Sequence, residues 1–201
     1  MSALKTIRYV TAAAALLLAG AVAYVSLNPR GADQHSLAAI DIGGPFELAS
    51  SRGGTVKSSI LAGKPYGVFF GFTHCPEVCP TTLYEMSETL KAVGDDAKDF
   101  RLFFITVDPE RDTAEKLKDY LSNFDPRIEA LVPTPAQLPD IAKAFRAIYE
   151  KVPTSDGEYT MNHTATLFLF GRNGKFKSTI AYGEAQANRE RKIKSLLALG
   201  P

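Results

Sequence analysis

The hydrophobic pattern divides the chain into two unequal regions. From Val10 to Leu27 no residue is charged; Lys5 and Arg8 precede the run and Asn28-Pro29-Arg30 closes it. A bilayer core takes about twenty mostly apolar residues, so this length predicts a membrane-spanning anchor within residues 1–31. A cleaved leader has a shorter apolar stretch, although Ala21-Val22-Ala23 imitates a cleavage site. Lys5 and Arg8 against the lone Arg30 predict a cytoplasmic N-terminus with the remainder exported. Residues 32–44, ending on Gly43 and Gly44, read as a tether.

Residues 45–201 show short apolar runs broken by turn signals, the pattern of one compact domain. Tyr66 to Phe70 and Arg101 to Val107 are apolar and rich in β-formers, which predicts strands buried on both faces. Shorter strands are predicted at Phe46–Ala49, Thr55–Val56 and Ile128–Val132. Helical patterns run from Cys79 to Val93, from a Thr113 N-cap through Asn123, from Pro135 to Tyr149, and from Gln186 to Leu199. Leu167–Phe170 and Phe176–Ala181 flank Gly171-Arg172-Asn173-Gly174, a hairpin turn signal. The order βαβ, then a helix, then ββα, predicts an α/β thioredoxin-like fold: a central mixed sheet flanked by helices, carried behind the N-terminal span.

Composition removes several function classes. Lys and Arg number 23 against 22 Asp and Glu, leaving a formal net charge of +1, so no basic field points to nucleic acid. No repeat or charge run points to a scaffold. About 155 residues bury a full core without disulfide staples.

The chemistry concentrates on two cysteines, the only ones in the chain. Cys75 and Cys79 lie in Gly71-Phe72-Thr73-His74-Cys75-Pro76-Glu77-Val78-Cys79-Pro80, directly after the Tyr66–Phe70 strand. A helix beginning at or just after Cys75 would project both thiols from one face, one turn apart. Ligands in open α/β sheets bind at the carboxyl ends of the strands, where these residues fall. Pro76 suits a first helical turn, and free amides there would lower thiol pKa values, so reactive, accessible cysteines are expected. Convergent thiolates bind soft metals or form a disulfide. A purely structural disulfide across one turn would close too small a loop to stabilise much.

His163 supplies a third group. It lies in Tyr159-Thr160-Met161-Asn162-His163-Thr164, read as a loop before the strand from Ala165 to Phe170. In a thioredoxin-like topology that loop faces the start of the cysteine-bearing helix. Redox relatives of the fold place a cis-proline there; this loop has none. Two thiolates and one imidazole suit copper, which takes soft ligands and tops the divalent affinity order.

At this point the chain resembles, over nearly its whole length, the Sco (SenC/PrrC) family of copper-binding cytochrome c oxidase assembly factors. The resemblance rests on the Gly71–Pro80 segment, on Val107-Asp108-Pro109-Glu110-Arg111-Asp112-Thr113, and on His163 ahead of an apolar strand, all behind a single N-terminal anchor. It implies that Cys75, Cys79 and His163 bind one copper, as Cu(I), Cu(II) or both. It also implies a metallochaperone rather than an enzyme, which helps install the binuclear copper centre of oxidase subunit II. Implied partners are that subunit and another periplasmic copper chaperone or thiol reductant. The expected setting is a bacterial inner membrane with the domain in the periplasm, because the short N-terminus lacks an Arg- and Ser-rich transit segment. Asn162 departs from the pattern, since many members carry Asp beside the histidine; the missing anion would soften tuning of the imidazole or alter partner contacts.

The rival reading is a thioredoxin-like thiol-disulfide oxidoreductase or redox sensor acting on the cysteines of the same partner. The three-residue spacer and the histidine weigh against it. Duller assignments cover the remaining candidates. His74 is left out of the ligand set because consecutive residues seldom aim at one centre. Asp108 to Asp112 lies at the same sheet edge as the cysteines, which leaves room for a part in partner docking or site organisation, but it reads first as a strand-to-helix turn, with Arg111 pairing locally to Asp108 or Asp112. Phe72 and Tyr84 are expected to be packing residues, and Met161 is a weak axial candidate.

Overall fold

A computed structural model describes residues 42–199 together with residues 9, 13, 16–20 and 24. The chain divides into two compact units, Met1–Ile40 and Asp41–Pro201. In the first, residues 16–20 are helical. Most of the expected membrane span lies outside the described residues, and among those described no helix is long and apolar enough to cross a membrane.

The second unit is built on β3 (Tyr66–Gly71), in which every residue is buried. Its neighbour β4 (Arg101–Thr106) is buried at all positions but the first. Parallel strands covered on both faces must be apolar throughout, which is why these two runs are continuous rather than alternating. β3 pairs parallel with β4, and β4 parallel with β5 (Ile128–Val132). Parallel neighbours need long crossovers. α1 (Val78–Val93) supplies the first and α2 (Ala114–Leu121) the second. Thr113 caps α2 as expected, its side chain accepting from the Lys116 amide at 3.2 Å.

Antiparallel strands complete the seven-stranded sheet. β1 (Glu47–Ser50) and β2 (Thr55–Lys57) extend it beyond β5; β8 (Leu167–Phe170) and β9 (Phe176–Ile180) extend it beyond β3. The β8–β9 turn carries Gly174 at φ +71°, a conformation that glycine adopts without steric cost. α3 (Leu138–Ala144) and α4 (Gln186–Ala198) complete the helices of this unit. The α/β thioredoxin-like architecture with a mixed sheet is therefore observed.

One region departs from expectation. The helix predicted from Pro135 to Tyr149 is only α3, and it ends in a Schellman turn. Ala147 N–H donates to Ala142 O at 2.9 Å and Arg146 N–H to Lys143 O at 3.0 Å, with Arg146 at φ +52°. Glycine usually marks such a turn; an arginine here hid it. The chain continues into β6 (Tyr149–Pro153) and β7 (Tyr159–His163), which pair as a separate two-stranded sheet with Tyr149 opposite His163. The segment before β8 is thus a hairpin rather than a loop.

Phe145, at the end of α3, is wholly buried. Its ring centroid lies 6.3 Å from Phe46, 5.6 Å from Phe70, 6.2 Å from Phe168 and 5.5 Å from Phe170. It joins α3 to β3 and β8, the two strands that approach the cysteine segment. Phe145→Ala is expected to cost about 3–5 kcal/mol in urea unfolding, from lost transfer energy plus the cavity left behind. A loss below about 1 kcal/mol would mean that the aromatic layer is not a common core.

Candidate metal centre

Strand pairing determines what meets at the end of β3. β8 runs antiparallel to β3 with Phe69 opposite Leu167, so residues just before β8 lie beside residues just after β3. The first group contains His163 and the second contains Cys75 and Cys79. Their ligand atoms all lie within 4.8 Å of one another. One ion with metal–ligand bonds of about 2.0–2.3 Å spans nearly this separation.

The cysteines converge by a different route from the expected one. α1 begins at Val78 with Glu77 as its N-cap, so Cys75 precedes the helix and Cys79 is its second residue. The pair does not share a helical face. Cys75 Sγ instead turns back to accept the first-turn amide N–H of Cys79 at 3.3 Å. This satisfies a helix donor that has no intrahelical partner and places a sulfur at the positive end of the helix. Cys75 is partly exposed, whereas Cys79 is completely buried, so the expectation of two accessible thiols holds for Cys75 alone.

The two thiols share protons unequally. The Cys79 S–H donates to Cys75 and pulls the Cys75 pKa down to about 4, with smaller help from the Cys79 and Glu77 amides against the opposing cost of burial. The same interaction pushes the Cys79 thiol far up, as does its burial. At neutral pH one thiolate, Cys75, is ready, and Cys79 must give up a proton to become a ligand.

His163 is oriented by its backbone neighbour. Its Nδ1 lies 3.1 Å from Thr164 O, a carbonyl that can only accept, so Nδ1 carries the proton and Nε2 presents its lone pair. Nε2 faces Cys79 Sγ at 3.4 Å. Phe72 and Phe69 pack edge-on against the imidazole, at centroid distances of 5.7 and 6.2 Å. Phe72 is the packing residue expected of it, but Tyr84 is exposed and packs no core. Asn162 is exposed and paired across the hairpin with Glu150, while Met161 is buried in the core. His74 is exposed and lies outside the cluster, its Nδ1 3.1 Å from Thr73 Oγ1.

Two further residues shape the site: Gly71, given no role from the sequence, and Asp112, which the sequence placed at this sheet edge but read first as part of a turn. A Cβ on Gly71 would lie 2.8 Å from Cys79 Sγ and 2.5 Å from the Phe104 ring, so only glycine leaves room for the buried sulfur. Asp112, wholly buried, accepts from Thr73 N–H at 3.0 Å, Thr73 Oγ1 at 2.5 Å and Thr106 Oγ1 at 2.7 Å. It ties the cysteine segment to the end of β4. The clue available in sequence was position: Asp112 follows a strand that ends at the same sheet edge. The local Arg111–Asp108 pairing is present, but Asp112 bonds to the cysteine segment instead of to Arg111.

Similar sequences and folds occur among known proteins. A sequence model of the family described as SCO1/SenC matches residues 34–198. An SCO2-like protein of Rickettsia prowazekii is 37% identical over 139 residues, covering 68% of this chain and 68% of that protein. The mitochondrial SCO1 homolog of Homo sapiens is 34% identical over 138 residues, covering 67% of this chain and 46% of that protein. Among solved structures, Bradyrhizobium japonicum ScoI with copper bound aligns with a TM-score of 0.72 and 46% identity, over 77% of this chain and 99% of that one. Yeast Sco1 with copper bound aligns with a TM-score of 0.72 and 27% identity, over 80% and 91%.

The unequal thiols make a direct prediction. Alkylation of the reduced, metal-free chain by iodoacetamide should modify Cys75 at a rate that is flat above about pH 6 and falls only as pH drops through about 4, because the thiolate is the nucleophile. Cys79 should stay unmodified until the chain unfolds. A Cys75 profile with its midpoint near the ordinary thiol value of about 8.5 would contradict the shared-proton arrangement.

Proposed function

The chain belongs to the SCO1/SenC family, and on that premise we propose that it is a copper carrier. In this reading Cys75, Cys79 and His163 hold one copper ion and deliver it to the binuclear copper centre of cytochrome c oxidase subunit II. The observation that carries it is the convergence of two sulfurs and one imidazole nitrogen at the end of β3. Soft sulfur donors suit the cuprous ion and imidazole suits copper generally, whereas hard oxygen-seeking cations would find no carboxylate in this set. Further support comes from relatives: the Bradyrhizobium japonicum and yeast Sco structures described above have copper bound, and a solved relative at 25% identity belongs to a Sco family of cytochrome c oxidase assembly proteins.

The residues divide the work of uptake and release. Cys75, partly exposed and already a thiolate, is the first contact for an incoming ion. Cys79 follows once its proton leaves, and His163 closes the set with a nitrogen whose opposite face is held by Thr164 O. Because a thiol proton must leave, binding strengthens as pH rises through the neutral range. A Cys75–Cys79 disulfide would remove both sulfurs, so the domain carries metal only when reduced. We place this domain in the bacterial periplasm, held at the inner membrane by residues 1–31 and the 32–44 tether.

The depressed Cys75 pKa favours a second reading, thiol-disulfide exchange with the cysteines of the same partner. Anaerobic Cu(I) titration of the reduced chain against a competing chelator separates the two. One tightly held copper per chain is expected, lost in Cys75→Ala and Cys79→Ala and weakened at least about 100-fold in His163→Ala, since even supporting residues around a metal contribute 10–100-fold. Weak binding indifferent to His163 would set the carrier reading aside in favour of thiol exchange.

A further inference from the structure

The hairpin that carries His163 makes no ladder with the main sheet, because β6 and β7 pair only with each other. The position of the imidazole therefore depends on what holds the hairpin down. At its base, Ile148 N–H donates to Thr164 Oγ1 at 2.9 Å and Thr164 N–H to Ile148 O at 3.0 Å. These bonds close the hairpin on itself. Beyond the apolar packing of Met161 in the core and of His163 against Phe69 and Phe72, the polar attachment of β7 to the rest of the domain comes from the segment between β4 and α2.

Arg111 is central to that attachment. Its Nε donates to Asp108 Oδ2, its Nη1 donates to Tyr159 O at 2.9 Å, and its guanidinium carbon lies 3.6 Å from the centroid of the Tyr159 ring. Tyr159 returns the connection by donating its hydroxyl to Asp108 Oδ1 at 2.9 Å. Asp108 is 3% exposed, and its own amide donates to Thr106 Oγ1 at 3.0 Å, so the anchor belongs to the rigid end of β4. On the outer side, Lys151 of β6 lies 3.9 Å over the same ring and pairs with Glu110 at 2.7 Å. The tyrosine is thus held between two cations, with its backbone oxygen and its hydroxyl both engaged. Four residues further along β7 is His163.

We propose that Arg111 and Tyr159 are positioning residues for the metal ligand His163: they clamp the hairpin to Asp108 and so hold Nε2 facing the two sulfurs. The proposal rests on the reading of His163 as a copper ligand and adds to it the residues that make its placement. The turn from Asp108 to Asp112 then serves both halves of the site. Asp112 fixes the cysteine segment through Thr73, and Asp108 with Arg111 fixes the histidine hairpin. Because one short turn sets both, the sulfur–nitrogen separation is determined within a single piece of backbone.

A double-mutant cycle on the full-length reduced chain tests this, with Cu(I) affinity measured by chelator competition. Arg111→Gln is expected to weaken copper binding about tenfold when His163 is present, in line with other residues that orient metal ligands, and to have no further effect when His163 is already alanine. Tyr159→Phe, which keeps the ring and the Arg111–Asp108 pair, should show a smaller loss with the same dependence on His163. It serves also if Arg111→Gln fails to fold. Equal losses in both backgrounds would mean that the turn acts through general stability, and no loss in either variant would mean that the hairpin is held by other contacts; each overturns the proposal. If His163→Ala itself leaves affinity unchanged, the carrier reading falls and the clamp with it, a result distinct from failure of the clamp alone.

Discussion

The antiparallel pairing of β3 with β8 is the constraint on which the rest depends. β3 is central, fully buried and followed at once by the cysteine segment; β8 is preceded by the histidine hairpin. Running the two strands in opposite directions sets the end of one beside the beginning of the other. Residues 84 apart in sequence thereby come within 3.4 Å of each other. The pairing is secured by apolar burial, because Val68, Phe69, Phe70, Leu167, Leu169 and Phe170 are all fully enclosed. A one-residue slip would turn each of these side chains to the opposite face of the sheet.

Given that frame, the chemistry is a matter of small distances and unequal solvation. A sulfur at a helix start and a sulfur beneath it do not titrate independently. The partly exposed one receives amide donors and a shared proton, and the enclosed one keeps that proton because of its hydrogen bond to Cys75 and, after that, because burial penalises its anion. Gly71 contributes by absence, since any side chain there would fill the seat of Cys79 Sγ. The imidazole contributes through its tautomer, which a backbone carbonyl selects. In the proposed carrier, such a site would take up a soft ion with the release of a proton.

Much of this was legible in the chain itself. The unbroken apolar runs at Tyr66–Phe70 and Arg101–Val107 identify central strands, and the cysteine segment immediately after the first locates the site at a strand's carboxyl end. The convergence of the thiols was legible, but its cause was not, because spacing alone does not distinguish two residues on one helical face from a sulfur capping the helix that bears the other. The β6–β7 hairpin escaped notice for two reasons. Glu150 and Lys151 interrupt any apolar alternation in β6, and the preceding helix ends on Arg146 in a left-handed conformation that glycine would have advertised. The roles of Asp112, Arg111 and Tyr159 are long-range, and a local reading of the Asp108–Asp112 turn finds only the ion pair three residues apart.

In the proposed carrier, two sulfurs and one imidazole nitrogen share a single copper ion. X-ray absorption at the copper edge of the reduced, singly loaded chain tests this most directly. The expected spectrum contains two sulfur scatterers and one nitrogen scatterer with the outer-shell signature of imidazole, and the nitrogen shell disappears in His163→Ala. A first shell of sulfur alone, or one unchanged by that substitution, would contradict the assignment.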